Sequence, residues 1–224
     1  MPDVKKRPKT TASSERPPRF RSGGRSERVR HDVAEAVLAL MREGRVGFSV
    51  AEVAERAGVH RTTVYRWWPT PADLVREALT IHTARLVVPD TGRWEDDIQA
   101  LAFQLADFFS DSVEIAMNVT MAGGAQPEVD MVIIEHWMPV FAEFARVVER
   151  ATLRGEVRPD TDATVVLQLL VSPLLMHTVL LRSEPGQRLV RELADAVSRA
   201  FSSGENLNQP GRMPRVQSTP HADT

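Results

Sequence analysis

The sequence predicts an all-α protein in two parts: an N-terminal three-helix unit carrying a helix–turn–helix, followed by a larger helical body. Apolar residues recur at three- and four-residue spacing through most of the interior of the chain, and no stretch of useful length alternates as a strand does. Start and stop signals fall at the ends of those runs: Ser49 before Glu52, Thr70 before Pro71, Gly58, and the Pro185–Gly186 pair. Charge is also unevenly spread. Residues 1–90 hold 17 Lys and Arg against 11 Asp and Glu, and the remainder holds 11 against 19, as expected when only the front meets a polyanion.

The elements follow in order. Residues 1–24 are basic, rich in Pro and Ser, and nearly free of apolar side chains, so they are expected to be a disordered arm. It either adds attraction to phosphates or is a solvated tail. From Ser26, a plausible cap, Val29, Val33, Ala36, Val37 and Leu40 form a one-sided helix that Gly44 and Gly47 end, with Phe48 plugging the small core. Ser49 and Glu52 are spaced as a capping box, and Val50, Val53, Ala54 and Ala57 share one face up to Gly58, a residue suited to a left-handed exit. A second short helix places Val64 and Trp68 inward and Arg61, Thr62, Tyr65 and Arg66 outward. Thr70 then caps a connecting helix with Pro71 in its first turn, running to about Val87.

An outward face of guanidinium, hydroxyl and aromatic groups on the second helix of such a hairpin suits the DNA major groove. Arg61, Thr62 and Trp67 are the candidates for base edges. Ser49, Thr63, Tyr65 and Arg66 are those for the phosphate backbone, together with the amide of Val50 at a helix N-terminus. The same spacing also suits an αα-hairpin with a solvated polar face.

Gly58, Val59, Thr63, Tyr65, Trp68 and Leu74 match the Gly-Val-Ser-x-x-Thr-x-Tyr-x-x-Phe core and following Leu of the TetR family of bacterial one-component repressors. The stretch 26–82 resembles that motif, with Trp68 in place of Phe. Two positions depart from it: His60 stands where a Ser cap is common, and Pro71 replaces a Lys that commonly meets the DNA backbone. The resemblance implies a sequence-specific regulator, usually a repressor, that binds an inverted-repeat operator as a homodimer and leaves it when a small effector fills the helical body.

Pro89 and Gly92 mark a boundary between a DNA-binding domain over 25–87 and a body over 94–202, with a polar tail over 203–224 expected to be disordered. Helices are expected over 94–110, 111–121, 128–153, 160–181 and 186–202, the fourth kinked at Pro173. Residues 163–181 are nearly all apolar, but Gln168, Ser172, Pro173 and His177 interrupt them, so burial by protein rather than a membrane span is expected. Family layout makes the last two helices the dimer interface. Asp96 and Asp97 sit in a first turn, where negative charge complements the helix dipole. Phe103, Phe108, Met117, Met121, Trp137, Phe141, Phe144, Met176 and His177 are bulky, adaptable candidates for the wall of a pocket taking an unidentified hydrophobic effector.

Enzyme readings find no support: there is no glycine-rich phosphate loop, nucleophile elbow or His-Glu-x-x-His, and no cofactor is expected. His136 and His177 lack a third ligand at metal-binding spacing. The absence of Cys and of a signal-like apolar segment fits a reducing cytoplasm. The rival reading is a helical-bundle ligand carrier or partner-binding protein that never touches DNA.

Overall fold

The computed structural model describes residues 24–124 and 127–204. Of the arm predicted over 1–24 and the tail predicted over 203–224, residues 1–23 and 205–224 lie outside the described residues. Among the described residues nine α-helices follow one another: α1 (Arg25–Arg42), α2 (Val50–Arg56), α3 (Arg61–Trp67), α4 (Pro71–Thr83), α5 (Trp94–Phe109), α6 (Ser112–Gly123), α7 (Pro127–Leu153), α8 (Ala163–Leu175) and α9 (Gln187–Phe201). No strand occurs among the described residues.

Caps explain most boundaries, and two differ from expectation. Ser26 is not the cap of α1. Gly24 holds that position, and the helix already runs at Arg25. At α2 only half of the expected capping box forms. The Ser49 hydroxyl accepts the Glu52 amide at 3.2 Å, but the Glu52 carboxylate turns instead to Arg45, a stronger charge-assisted partner than an amide. The full box is at α4: the Asp73 amide donates to the Thr70 hydroxyl at 3.2 Å and the Thr70 amide to the Asp73 carboxylate at 3.1 Å.

α4 stops at Thr83, short of Val87. The Gln104 side chain takes over Val87, accepting its amide at 2.8 Å and donating to its carbonyl at 2.7 Å, and so ties this segment to α5. The front helices do not stand apart from the body. α1 packs on α4 and α6, α4 packs on α7, and one apolar core runs from Val33 to Val197.

Asp97 sits in the first turn of α5 as expected but is not a solvated dipole partner. It is fully buried, accepts the Thr91 amide at 2.6 Å and hydroxyl at 2.8 Å, and pairs with Arg154 at 3.3 Å. Nearby, the Trp94 indole donates to the Ser198 carbonyl at 3.0 Å, and the Ser203 amide donates to the Glu156 carbonyl at 2.8 Å. The start of α5, the end of α7 and the end of α9 are thereby clasped together.

The apolar run 163–181 behaves differently from its prediction. Asp162, not Asp160, starts α8 by accepting the Thr164 amide at 2.8 Å. After Pro173, whose ring nitrogen has no proton to give, the helix widens into a π turn over Met176–Leu180. Residues Ala163–Leu180 are long and apolar enough to cross a membrane by composition, yet only 28% of them are buried in the chain. Protein therefore covers one face only. The other exposes Val165, Leu169, Met176 and Leu180 by 41–74%. α9 was expected to share this apolar surplus but does not: behind Val190, Ala194 and Val197 its outer side carries Arg188, Arg191, Glu192 and Asp195. Between those charges Leu189, Leu193, Ala196 and Ala200 form a narrow apolar strip.

One titration follows from the α4–α7 contact. Thr83 donates its only hydroxyl proton to the Leu79 carbonyl at 2.8 Å, so at 2.9 Å from His136 Nε2 it accepts, which fixes the imidazole proton on Nε2. Burial first, and the nearby His82 second, hold His136 below its ordinary value of 6.5. The unfolded chain therefore binds a proton that the folded chain resists. This contribution to stability is complete above about pH 6.5 and is lost as pH falls below it. The urea midpoint is expected to drop between about pH 7.5 and 5.5, and His136→Gln should flatten that drop.

Candidate functional site

The recognition hairpin is built from α2 and α3. Gly58 makes the turn with φ 64, a left-handed value that a side chain would resist, and the Val59 amide donates to the Ala54 carbonyl at 3.0 Å. Val64 is fully buried and Trp68 is 5% exposed, which turns Arg61, Thr62, Tyr65 and Arg66 to the outside. His60 occupies the cap position without a side-chain cap bond, and its Nδ1 lies 2.8 Å from the Thr62 hydroxyl. Arg61 lies 3.8 Å from Glu55, and both are exposed, so water and salt screen that pair and leave the guanidinium able to turn to another partner.

Ser49 is exposed at the start of α2, and Val50 follows it at the first helical position with its side chain buried. Thr63 is half-buried. Trp67 departs from a purely outward reading. It packs partly on the core and meets Trp68 edge-on at 5.4 Å, which puts it at the margin of the surface that Arg61 and Thr62 dominate.

Glu77 of α4 holds this surface in place and was not among the sequence candidates. Its carboxylate accepts from Arg30 of α1 at 2.8 Å and from the Trp68 indole at 3.3 Å. A single buried-edge carboxylate thus locks the end of α3 to both flanking helices. Nothing in local spacing announces it, because its partners lie 47 and 9 residues away.

The body holds a second feature, a cavity of about 640 Å³ between α6, α7 and α8. Met117, Met121, Trp137 and Phe141 line it, as anticipated, with the rings of Trp137 and Phe141 stacked at 5.3 Å. The other five candidates do not. Phe108 stands behind Trp137 at 5.5 Å, Phe144 is sealed in the core, and Phe103 borders a separate cleft beside Arg85 and Asp107. Met176 is exposed on the outer face, and His177 turns to Ser183 at 3.3 Å. The π turn rotates both away from the cavity. Residue chemistry favoured all nine, but only helix phase in three dimensions could sort them.

Glu114, missed in the sequence, lines the cavity and is fully buried. Its carboxylate lies 3.2 Å from Nε2 of His82 on α4, the helix that follows the recognition hairpin. His82 in turn rests on the Phe108 ring at 4.9 Å. The cavity wall and α4 therefore share a buried contact.

A short helix held outward by a buried Val–Trp pair thus leads into a helical body with a ligand-sized cavity. Residues 88–197 match the family model described as the tetracyclin repressor-like, C-terminal domain. The chain is 34% identical over 148 residues to the HTH-type transcriptional regulator AqdR of Rhodococcus erythropolis, covering 64% of this chain and 70% of that one. It is 28% identical over 176 residues to the DNA-binding transcriptional repressor TetR of Mycobacteroides abscessus, covering 74% and 88%. Among solved structures, a TetR transcriptional regulator from Agrobacterium tumefaciens superposes with a TM-score of 0.64 at 17% identity, covering 78% of this chain and 95% of that one. The chain belongs to the TetR family of transcriptional regulators. Its family relatives are regulators rather than enzymes, and regulators of this family bind DNA and dimerise.

Proposed function

We propose that this regulator is a cytoplasmic repressor that dimerises through the exposed face of α8 and the apolar strip of α9, binds an inverted-repeat operator, and leaves it when a small effector fills the cavity. Residues 25–87 serve as the DNA reader and 94–202 as the regulatory body. One observation carries the reading: Glu114 is at once a wall of the cavity and the partner of His82 on α4. A ligand that engages Glu114 alters the seat of the helix that positions α3. Repression is the mode named for the Mycobacteroides relative.

Two-fold symmetry would set the two α3 helices on successive major grooves, with half-sites about 34–36 Å apart or somewhat more. Arg61 and Thr62 face base edges, Trp67 at their margin. Ser49, Thr63, Tyr65, Arg66 and the Val50 amide face phosphates.

The test is footprinting on DNA flanking the gene, followed by binding titrations at several salt concentrations. Affinity should fall steeply with salt. Arg61→Ala and Arg66→Ala are each expected to weaken binding by about 1–3 kcal/mol where the guanidinium meets a base. Of the two, a phosphate contact would lower affinity evenly across operator sequences and reduce the salt slope. A chain that binds no flanking duplex above the background of random DNA would favour the ligand-carrier reading.

A further inference from the structure

We infer that the cavity selects an apolar, aromatic ligand bearing a positively charged hydrogen-bond donor such as an amine, seated against the Glu114 carboxylate. This rests on the effector reading above and specifies its chemistry. The cavity walls are chiefly apolar, with the stacked Trp137 and Phe141 rings on one side and Met117 and Leu167 among the others. A flat hydrocarbon framework fits such walls, and ring faces attract cations.

Into this lining Glu114 brings two carboxylate oxygens, neither accessible to solvent and neither engaged in a well-aligned hydrogen bond. An ionised carboxylate only accepts, and it has room for about four donors. Its one ion-pair partner among the described residues, His82, approaches Oε1 alone. Oε2 is left without a partner among the described residues, just beneath the stretch of cavity wall that Glu114 forms.

Arg85 and Asp111 pair with each other at 3.1 Å and largely cancel. His136 of α7 is held toward its neutral form. Glu114 lies in the first turn of α6, where the helix dipole favours negative charge. Burial pushes its carboxyl above the usual carboxylate value, and His82 pulls it back. A cation arriving from the cavity would add to that pull and satisfy the free oxygen. An anionic ligand would instead set a second negative charge against the first. The remaining polar lining, Asn118, Thr164, Gln168 and Ser172, carries no charge to offset this preference.

The experiment measures binding of three naphthalenes of similar size to the full chain by calorimetry at about pH 7.5: 2-naphthylmethylamine, 2-naphthylmethanol and 2-naphthoate. The wild-type protein is expected to bind the amine at least roughly tenfold more tightly than the alcohol, the yield of one charge-assisted hydrogen bond, and the naphthoate most weakly. Glu114→Gln should bring the amine and the alcohol to within about threefold of each other. Wild-type protein binding the alcohol or the naphthoate as tightly as the amine overturns the inference while leaving an effector cavity in place. Preference for the amine persisting in Glu114→Gln overturns the assignment to this carboxylate. Failure of all three to bind overturns both the inference and the cavity as a ligand site. The wild-type ranking decides the matter even if the variant does not fold.

Discussion

Trp68→Ala is expected to cost about 3–5 kcal/mol of stability and to lower operator affinity by on the order of 100-fold or more. α3 has seven residues, fewer than an isolated helix needs to persist in water, so tertiary contacts must hold it. Val64 and Trp68 are the buried contacts that do so, and Trp68 alone also reaches Glu77. Alanine removes the ring, opens a cavity between α1, α3 and α4, and takes away the indole donor that Glu77 accepts beside Arg30. Arg61, Thr62, Tyr65 and Arg66 would remain on the chain, but their common orientation would not. Thermal unfolding followed by near-ultraviolet circular dichroism, with a gel shift on the same samples, checks both effects. Trp68→Phe should recover most of the stability because it restores the apolar bulk. An alanine variant with unchanged melting and DNA binding would contradict this account of the head.

Leu169→Glu combined with Met176→Glu is expected to turn the dimer into a monomer and to weaken operator binding by roughly 10²–10⁴-fold, the advantage lost when two linked reading heads become one. Both side chains lie on the outer face of α8, exposed by 45% and 52% in the single chain. The fold of one subunit therefore does not depend on them, and the monomer should keep its helical content. In a paired subunit the new carboxylates would be buried without partners, at a cost of several kcal/mol each. Sedimentation equilibrium and a binding titration on one protein stock test the pair of effects. A variant that still sediments as a dimer would place the interface elsewhere.

The fold was legible in the sequence wherever the deciding interactions are local. Capping at Ser49 and Thr70, the exit at Gly58, and the inward pair Val64 and Trp68 all follow from side chains within four residues of one another. The widening after Pro173 was legible as a break, but its form was not. A missing amide says that the ladder fails there, not that a π turn will carry Met176 and His177 around to the outside.

Long-range charge placement was the least legible part. Asp97 reads as a solvated first-turn acid, yet Arg154 and Thr91 draw it into the interior. Glu77 and Glu114 give no signal in local spacing, yet one ties the end of α3 to its neighbours and the other lines the cavity.

The sequence by itself determined the all-helical architecture, the position of the α2–α3 hairpin and the residues it turns outward. Periodicity, caps and turn residues act over a few bonds, and each constrains the backbone regardless of what the distant chain does. Only the tertiary structure decided which of the bulky side chains face the cavity, and which acidic groups are sealed inside. Those outcomes depend on the rotation of each helix against its neighbours, and burial raises the energetic weight of a carboxylate's partner from a negligible surface effect to one that fixes where the helices sit.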